Sequence, residues 1–436
     1  MHDHTIDPNQ TPDTFSVTLT DLGLRRAALF WSPTRGKLTP SHPALAPLCD
    51  AAVANTRDFD EHQALFFEVG ASTGSLHAAF LHRTHRGQAA GGVRRWQYPS
   101  LQSLVNDGLR LSRGMGRKNA LAGLWWGGGK GIISEPKSGT KAERKVAYQE
   151  YGSFISSLRG AYVTAEDVGT VEDDMAAVFQ QTRFTTCVPP RVGGSGNPSS
   201  STARGVVTAM EAALEFQTGD SLENKKVVMQ GAGNVARFMM QDLLSRGVAK
   251  IIATDVNPSS LLLAKQQVGG ERLELRETAP DDKTIFREEC DVFAPNALGG
   301  ILHDQTINSL RTPLVCGAAN NQLLDDLIHD QALADRGIQF VPDFLANRMG
   351  IVQCANEQYG SVDNDPSILR HFDRDWDRSL YAVTRQVLER AKSTGSTSTR
   401  AANALADEQS EQPHPMWPER TTQIIECLAK SWATDD

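Results

Sequence analysis

The chain has 436 residues, 40% hydrophobic and 22% charged, which is enough for two or three domains with separate cores. Its formal net charge of -8 gives no electrostatic reason to expect nucleic acid or an acidic membrane as a partner. No apolar run approaches the roughly 18 residues needed to span a bilayer. The polar N-terminus lacks a signal-peptide pattern. We therefore expect a cytoplasmic protein with no membrane partner.

The six cysteines are scattered along the chain, without a CxxC pair or a His/Cys spacing suited to zinc. Several lie in apolar runs, as Cys316 does, and these are expected to be small buried hydrophobic residues in a reducing compartment. The sequence therefore predicts no metal site.

In the first half of the chain, residues 1–57 form an extension to which the sequence assigns no role other than subunit contact. Two apolar runs between Ala64 and His82 flank a glycine-containing turn and predict a strand hairpin. A helix is predicted from Pro99, followed by a glycine-rich turn and a second helix over 141–158. A buried strand over 161–165 then delivers Glu166 and Asp167 at its end.

The polar stretch 193–201 is the best candidate for a domain boundary. After it, helix and strand alternate: helices are predicted over 202–216 and after Gly233, and strands over 226–230, 250–254 and near 292, 314 and 339. Such alternation predicts a parallel, doubly wound sheet. The expected division is an extension over 1–57, an α/β substrate domain over 58–195, a Rossmann domain over 196–350, and C-terminal helices over 351–436. These helices are expected to pack back on the substrate domain and to end in a partly disordered tail, with 393–399 and 408–418 as irregular segments.

The run Gly231-Ala232-Gly233-Asn234-Val235-Ala236 lies between a predicted strand and a predicted helix. Gly231 permits the tight turn, Gly233 lets the backbone approach a pyrophosphate, and the N–H groups at Asn234 and Val235 open the helix. Asp255 ends the next strand, where a carboxylate would accept hydrogen bonds from a ribose 2′-hydroxyl and repel a 2′-phosphate. The pattern therefore predicts NAD rather than NADP as cofactor. A glycine turn without a ligand is the alternative.

Three charged residues of the first half, Lys118, Lys130 and Asp167, are candidates for chemistry. The glycines before Lys130 do not form a phosphate loop, because Leu124 and Gly131 stand where that motif needs glycine and Ser/Thr. Bare backbone would instead let a lysine sit close to a compact substrate. Two lysines in one pocket would lower each other's ammonium pKa. The alternative is that each lysine is a solvated surface charge.

Several motifs resemble the leucine, valine and phenylalanine dehydrogenases, a branch of the Glu/Leu/Phe/Val amino acid dehydrogenase family. The similarity covers roughly residues 58–410, in order and at familiar spacing. The matching segments are 91–96, 114–124, 127–130, 164–170, 195–198, 290–295, 297–299, 317–323 and 341–343.

This resemblance implies reversible oxidative deamination of a hydrophobic L-amino acid to a 2-oxo acid and ammonia. Lys118 would bind the substrate carboxylate, Lys130 would activate water, and Asp167 would be the general acid/base. Gly92 and the backbone at Asn347 would contact the substrate. Thr202 would contact the cofactor, and Asn320 both cofactor and substrate. A homo-oligomer is also expected.

The resemblance further suggests which residues line the side-chain pocket. In the related glutamate dehydrogenases a lysine precedes the Gly-Gly pair and binds the side-chain carboxylate. Here that residue is Ala90, so glutamate is disfavoured. The remaining pocket positions are Ala165, Ile351 and Cys354, which favour an aliphatic or aromatic side chain.

The chain departs from the family at three places. Trp125-Trp126 could narrow the pocket, Asn296 stands where cysteine is common, and Arg348-Met349 replaces small residues. Arg348 is expected to point to solvent, with a positive charge for a polar substrate as the alternative. Two rival functions remain open at this stage: a non-catalytic NAD-binding relative, and a dehydrogenase for a polar amino acid.

Overall fold

A computed structural model describes residues 5–134, 141–360 and 362–432. The strands are β1 (Arg26–Ser32), β2 (Lys37–Pro40), β3 (Ala64–Val69), β4 (Leu76–His82), β5 (Ala89–Trp96), β6 (Gly127–Ser134), β7 (Tyr162–Glu166), β8 (Lys226–Gln230), β9 (Lys250–Asp255), β10 (Leu273–Glu277), β11 (Val292–Pro295), β12 (Leu314–Val315) and β13 (Gln339–Phe340).

The α-helices are α1 (Pro12–Asp21), α2 (Ala46–Ala54), α3 (Leu101–Leu121), α4 (Lys141–Ser157), α5 (Glu172–Phe179), α6 (Ser199–Thr218), α7 (Asn234–Ser245), α8 (Pro258–Gln267), α9 (Asp304–Ser309), α10 (Ile328–Asp335), α11 (Asp343–Ala346), α12 (Met349–Glu357), α13 (Pro366–Leu369), α14 (Leu380–Thr394), α15 (Ser398–Ser410) and α16 (Arg420–Trp432).

The chain folds into two compact units. The first contains residues 1–197, 357–361 and 407–436, and the second contains 198–356 and 362–406. The break at Asn197 falls inside the stretch that the sequence marks as a boundary.

The C-terminal segment differs from the expected division, because 351–356 and 362–406 belong to the second unit and only 357–361 and 407–436 to the first. The reason is that α14 packs on α6: a Cβ at Gly205 of α6 would lie 3.2 Å from Leu380 of α14.

The first unit is built on a seven-stranded sheet of order β2-β1-β3-β4-β6-β5-β7. The predicted hairpin over Ala64–His82 is confirmed as the antiparallel pair β3–β4. On one face of the sheet, α1, α2 and α3 bury an apolar core to which Phe15, Leu48 and Leu104 contribute. Residues 5–57 are therefore part of the first unit and not a separate extension, because β1 and β2 extend the sheet and α1 and α2 cover it.

The second unit has a parallel six-stranded sheet of order β10-β9-β8-β11-β12-β13. This is the strand order of a doubly wound dinucleotide-binding fold. The direction of winding changes between β8, the first strand of this sheet, and β11. The expected fold class is confirmed. Strand β10 escaped prediction because its residues, Leu-Glu-Leu-Arg-Glu, are mostly half-exposed at the edge of the sheet.

The segment 393–399, expected to be irregular, is ordered. Ser398 donates to the carbonyl of Phe340 at 2.6 Å, and the Thr399 N–H donates to Asp330 at 3.0 Å. Polar side chains therefore form hydrogen bonds with buried backbone groups of the second unit. The Ser/Thr-rich composition of the segment does not show that these bonds form. Of the segment 408–418, also expected to be irregular, residues 408–410 belong to α15, and 411–419 are irregular. The last residues, 433–436, lie outside the described part of the chain.

Candidate active site

Most of the predicted catalytic and substrate-binding residues of the first unit lie on one face of its sheet. Strand β5 pairs in parallel with β6 and β7, so that Ala90 lies opposite Gly128 and Gly92 lies opposite Ala165. Lys130 lies opposite Phe80 of β4, whose ring packs under α3. Since side chains alternate along a strand, Ala90, Gly92, Lys130 and Ala165 all face α3.

The glycine-rich run before Lys130 was expected to be a turn, and that expectation is wrong. Residues 127–134 form β6, a fully buried strand between β4 and β5. A Cβ at Gly128 would lie 2.8 Å from the backbone nitrogen of Gly116 on α3. A Cβ at Gly129 would lie 2.7 Å from the ring of Tyr162 on the opposite face. These glycines let helix and sheet approach closely, which is a packing role that composition alone does not distinguish from a turn.

Close packing also fixes the helix that carries Lys118. Lys118 lies in the last turn of α3. Its neighbour Asn119 is fully buried and donates to the carbonyls of Gly127 at 2.7 Å and Ala90 at 3.3 Å. The end of α3 is therefore tied to the starts of β5 and β6, and Lys118 is held on the sheet face that carries Lys130.

Lys130 and Asp167 form a buried ion pair. The Nζ of Lys130 lies 2.5 Å from Oδ2 of Asp167, and the two side chains are 5% and 16% exposed. Burial lowers the pKa of the Lys130 ammonium, and Asp167 opposes that effect only in part. Burial alone would raise the pKa of Asp167, but the charges of Lys130 and Arg94 outweigh it and hold that pKa at about 2. The pair therefore combines an ammonium group whose pKa is lowered with a carboxylate that stays ionised.

Gly92 lies against this pair. A Cβ at Gly92 would fall 2.7 Å from the Cβ of Asp167. Only glycine therefore lets β5 run this close to Glu166 and Asp167 at the end of β7. Two apolar residues, Ala90 and Ala165, are buried on the same face, where they are 1% and 5% exposed.

Sequence reasoning missed Arg94. Its Nε lies 3.3 Å from Oδ2 of Asp167, and its Nη1 lies 2.8 Å from Asp107 of α3. The signal was available in the pattern, because Arg94 is two residues beyond Gly92 on the same strand and must face the same side.

The predicted cofactor motif lies in the second unit at the end of β8 and the start of α7. Gly231 has φ +106°, and its N–H donates to the Thr254 carbonyl at 2.7 Å. Gly233 is the N-cap of α7, without a side-chain cap, and α7 begins at Asn234 and Val235. A Cβ at Gly233 would meet no atom within 4 Å. The first-turn N–H groups of α7 thus have no intrahelical acceptors and suit an anion.

Asp255 lies beside this turn. Its Oδ2 accepts a hydrogen bond from the N–H of Ala232 at 2.8 Å, and its Oδ1 accepts one from the N–H of Asn257 at 2.8 Å. The carboxylate is thereby fixed at the end of β9, next to the glycine turn. Residues and backbone here fit a dinucleotide.

Two further predicted residues of the second unit are joined to each other. The Nδ2 of Asn347 donates to Oδ1 of Asn320 at 2.7 Å and to the Ala318 carbonyl at 3.1 Å. Asn347 is buried and its Oδ1 has no hydrogen-bond partner, while Asn320 is exposed. An unsatisfied buried acceptor is costly, so a donor from water or from a ligand is expected at this position.

The other predicted positions are spread along two helices. Thr202 lies on α6, and its Oγ1 donates to the Pro198 carbonyl at 2.9 Å. A Cβ at Gly350, the residue before Ile351, would lie 3.0 Å from that Oγ1. Ile351 and Cys354 are both buried on α12.

The expectation that Arg348 points to solvent is wrong. Its side chain is fully buried, and one Nη donates to the Arg378 carbonyl at 2.6 Å. Burial lowers the pKa of Arg348 to about 9. The guanidinium serves the packing of the loop before α14. Of the other departures, Trp125 stacks on Arg86 and His414, and Asn296 accepts from the N–H of Ala318 at 2.8 Å.

A surface cavity of about 480 Å³ in the first unit lies elsewhere, beside Gln88, Phe184 and Glu357. None of the predicted site residues lines it. In the described part of the chain, no three His, Cys, Asp or Glu side chains come close enough together to hold a metal ion. Nor does any helix of the described residues have the length and apolarity to cross a membrane.

Two family models match the chain: Glu/Leu/Phe/Val dehydrogenase, dimerisation domain, over residues 71–184, and Glutamate/Leucine/Phenylalanine/Valine dehydrogenase over 193–413. The chain belongs to this family. It is therefore an amino acid dehydrogenase, an oxidoreductase, as the motifs of the sequence implied.

Individual relatives agree with this assignment. The chain is 42% identical to a leucine dehydrogenase of Geobacillus stearothermophilus over 69% of this chain and 79% of the relative. It is 37% identical to a valine dehydrogenase of Streptomyces coelicolor over 77% and 88%. Among solved structures, L-tryptophan dehydrogenase from Nostoc punctiforme matches with a TM-score of 0.66 and 29% identity, over 83% of this chain and 97% of that one. The dehydrogenase thus resembles the branch that the sequence motifs indicated.

Proposed function

We propose that this dehydrogenase uses NAD to deaminate a hydrophobic L-amino acid oxidatively and reversibly, releasing the 2-oxo acid and ammonia. The observation that carries the proposal is the Lys130–Asp167 pair at 2.5 Å, set against Gly92 under α3. A buried ammonium with a lowered pKa next to an ionised carboxylate is the pair that proton transfer around an α-amino carbon requires.

Each residue has a separate task in this proposal. Lys118, on the last turn of α3, binds the α-carboxylate. NAD, held by the turn at Gly231 and by Asp255, would supply the hydride acceptor for oxidation of the α-carbon. Lys130 orients the water that attacks the resulting imine and stabilises the oxygen that develops there. Asp167 moves protons to and from the nitrogen, so that ammonia can leave the carbinolamine. Asn347 and Asn320 contact the substrate and the nicotinamide.

The choice of NAD rests on Asp255. Its carboxylate, fixed by two backbone N–H groups, would accept hydrogen bonds from the 2′-hydroxyl of the ribose and would repel a 2′-phosphate. Asn234 and Val235 open the helix whose N-terminus would bind the pyrophosphate, and Thr202 contacts the cofactor.

The choice of a hydrophobic substrate rests on Ala90 and Ala165. Both are apolar, and neither places a cation where a side-chain carboxylate would need one. On the family resemblance we also assign Ile351 and Cys354 of the second unit to the binding of the substrate side chain. The relatives named above act on leucine, valine or tryptophan according to their names, which supports this class. We also propose a homo-oligomeric enzyme of the cytoplasm.

The test is NADH formation with a panel of L-amino acids, including leucine, valine, phenylalanine, tryptophan and glutamate. We expect turnover with hydrophobic substrates, and a loss of about 10² to 10⁴ in kcat for Asp167→Asn, because proton transfer by a placed group is worth that much. Asp174→Asn is the control, since it breaks another short ion pair of a buried aspartate in the same unit, with Arg144 at 2.5 Å.

NAD binding without turnover of any amino acid would favour a non-catalytic relative. Glutamate turning over faster than leucine or phenylalanine would show that the interpretation of Ala90 is wrong. Equal losses in the Asp167 and Asp174 variants would assign Asp167 a structural role.

A further inference from the structure

Arg94 connects the catalytic carboxylate to the helix above it. Its side chain is 18% exposed and lies between two carboxylates, those of Asp167 and Asp107. Asp107 lies on α3 and is itself held, because Tyr98 donates to its Oδ2 at 2.8 Å. A planar guanidinium with several donors in fixed directions can bridge two acids in this way, whereas an ammonium is a single point of charge.

The two cations around Asp167 contact the same oxygen. Lys130 Nζ lies 2.5 Å and Arg94 Nε lies 3.3 Å from Oδ2. Oδ1 is outside both ion pairs. Holding one carboxylate oxygen from two directions fixes the rotation of the carboxylate about its Cβ–Cγ bond, and therefore the direction of the second oxygen.

We propose that Arg94 is a positioning residue which, anchored through Asp107 and acting together with Lys130, fixes Oδ2 of Asp167 so that Oδ1 exchanges the proton with the substrate nitrogen. In that exchange an N–H bond of the substrate ammonium breaks and an O–H bond forms at Oδ1. The same proton returns to the nitrogen before ammonia leaves. The inference rests on the proposed function, because it assigns a proton-transfer role to Asp167.

The charge of Arg94 has a second, measurable consequence. The charged and titratable groups that interact with Lys130 or Asp167 are Arg94 of β5, Tyr162 and Glu166 of β7, Tyr98 before α3, and Asp107 of α3. Among the causes of the lowered pKa of Asp167, the charge of Arg94 follows that of Lys130, and it also lowers the pKa of Lys130. Removing that charge should raise both pKa values.

The experiment compares Arg94→Gln, Arg94→Lys and Arg110→Gln. Arg110 is the matched control, because it binds the other oxygen of Asp107 and does not contact Asp167. The readouts are kcat and KM for the best amino acid of the panel, and the pH profile of kcat/KM. Circular dichroism and thermal unfolding establish which variants are folded.

In Arg94→Gln we expect the pH profile of kcat/KM to move to higher pH by about 1 unit, since an adjacent opposite charge moves a carboxyl pKa by about 1 to 3 units. Its kcat should fall about 10- to 100-fold, the range for a misplaced catalytic group, with KM little changed. Arg94→Lys should retain the pH profile, because the charge remains, yet lose about tenfold in kcat, because one ammonium cannot bridge both acids. Arg110→Gln should match the wild type in both respects.

A wild-type enzyme without turnover would defeat the proposed function itself. An active wild type whose Arg94→Gln variant behaves like Arg110→Gln would overturn only the role of Arg94. If Arg94→Gln does not fold, Arg94→Lys decides: wild-type kcat in that variant overturns the proposal, and a tenfold loss with an unshifted pH profile supports it.

Discussion

The contact between α3 and β6 can be tested with a single methyl group. In Gly128→Ala the new Cβ would lie 2.8 Å from N and 2.9 Å from Cα of Gly116, and it would also meet the carbonyl oxygen of Ser112. All three atoms belong to the backbone of α3, so the whole helix must move away from the sheet. Overpacking of this kind costs about 1–3 kcal/mol.

The same helix supplies a matched control. A Cβ at Gly114 would meet nothing within 4 Å. Because glycine in the middle of a helix is worse than alanine by about 0.5–1 kcal/mol, Gly114→Ala should be as stable as the wild type or slightly more stable. Both variants add one methyl group, but only the one at Gly128 lies between β6 and α3. Only Gly128→Ala should therefore lower the unfolding temperature, by about 2 °C per kcal/mol lost for a unit of this size.

The displacement of α3 from β6 should also lower catalytic activity. Lys118 is carried by α3, and Lys130 by β6, so pushing the two elements apart separates the proposed carboxylate-binding ammonium from the Lys130–Asp167 pair. A misplacement of about 1 Å commonly costs about 10²-fold in rate. We therefore expect kcat/KM for a hydrophobic amino acid to fall about 10- to 100-fold in Gly128→Ala and to stay at the wild-type value in Gly114→Ala.

Thermal unfolding followed by circular dichroism and initial rates of NADH formation measure both effects on the same preparations. A Gly128→Ala protein that unfolds at the wild-type temperature and retains its kcat/KM would refute the reasoning, because it would mean that β6 tolerates a side chain against α3.

Two further predictions concern the charges at the ends of strands. Replacing Asp255 by serine should reduce the preference for NAD over NADP by at least about tenfold in kcat/KM, since the repulsion of a 2′-phosphate disappears; an unchanged ratio measured with both cofactors would contradict the assignment of Asp255. The pKa of Asp167 is about 2 in the fold, against 3.8 for an ordinary aspartate, so the ionised carboxylate adds stability above about pH 4 that is lost as the pH falls towards 2. Urea unfolding between pH 5 and 2 should therefore show a smaller loss of stability in Asp167→Asn than in the wild type, and parallel curves would argue against the lowered pKa.

Much of the second unit could be predicted from the sequence. Strand β8 and the start of α7 follow from an apolar run that ends in Gly231, because the dinucleotide-binding turn is a local motif whose backbone requirements are visible in its residues. Asp255 follows from the same motif at a fixed distance along the chain. The family resemblance, in turn, singled out Lys118, Lys130 and Asp167, which lie far apart in the chain.

What the sequence determined by itself were properties that depend on near neighbours: the strand–turn–helix of the cofactor motif, the hairpin β3–β4, and the residue types available for chemistry. Only the tertiary structure decided the rest. It made the glycines 127–129 a strand instead of a turn, buried Arg348, built residues 5–57 into the first unit and placed Arg94 on the carboxylate of Asp167. The physical reason is that each of these outcomes depends on which distant segment packs against the residue. The identity of a glycine or an arginine does not indicate which residues from elsewhere in the chain will contact it.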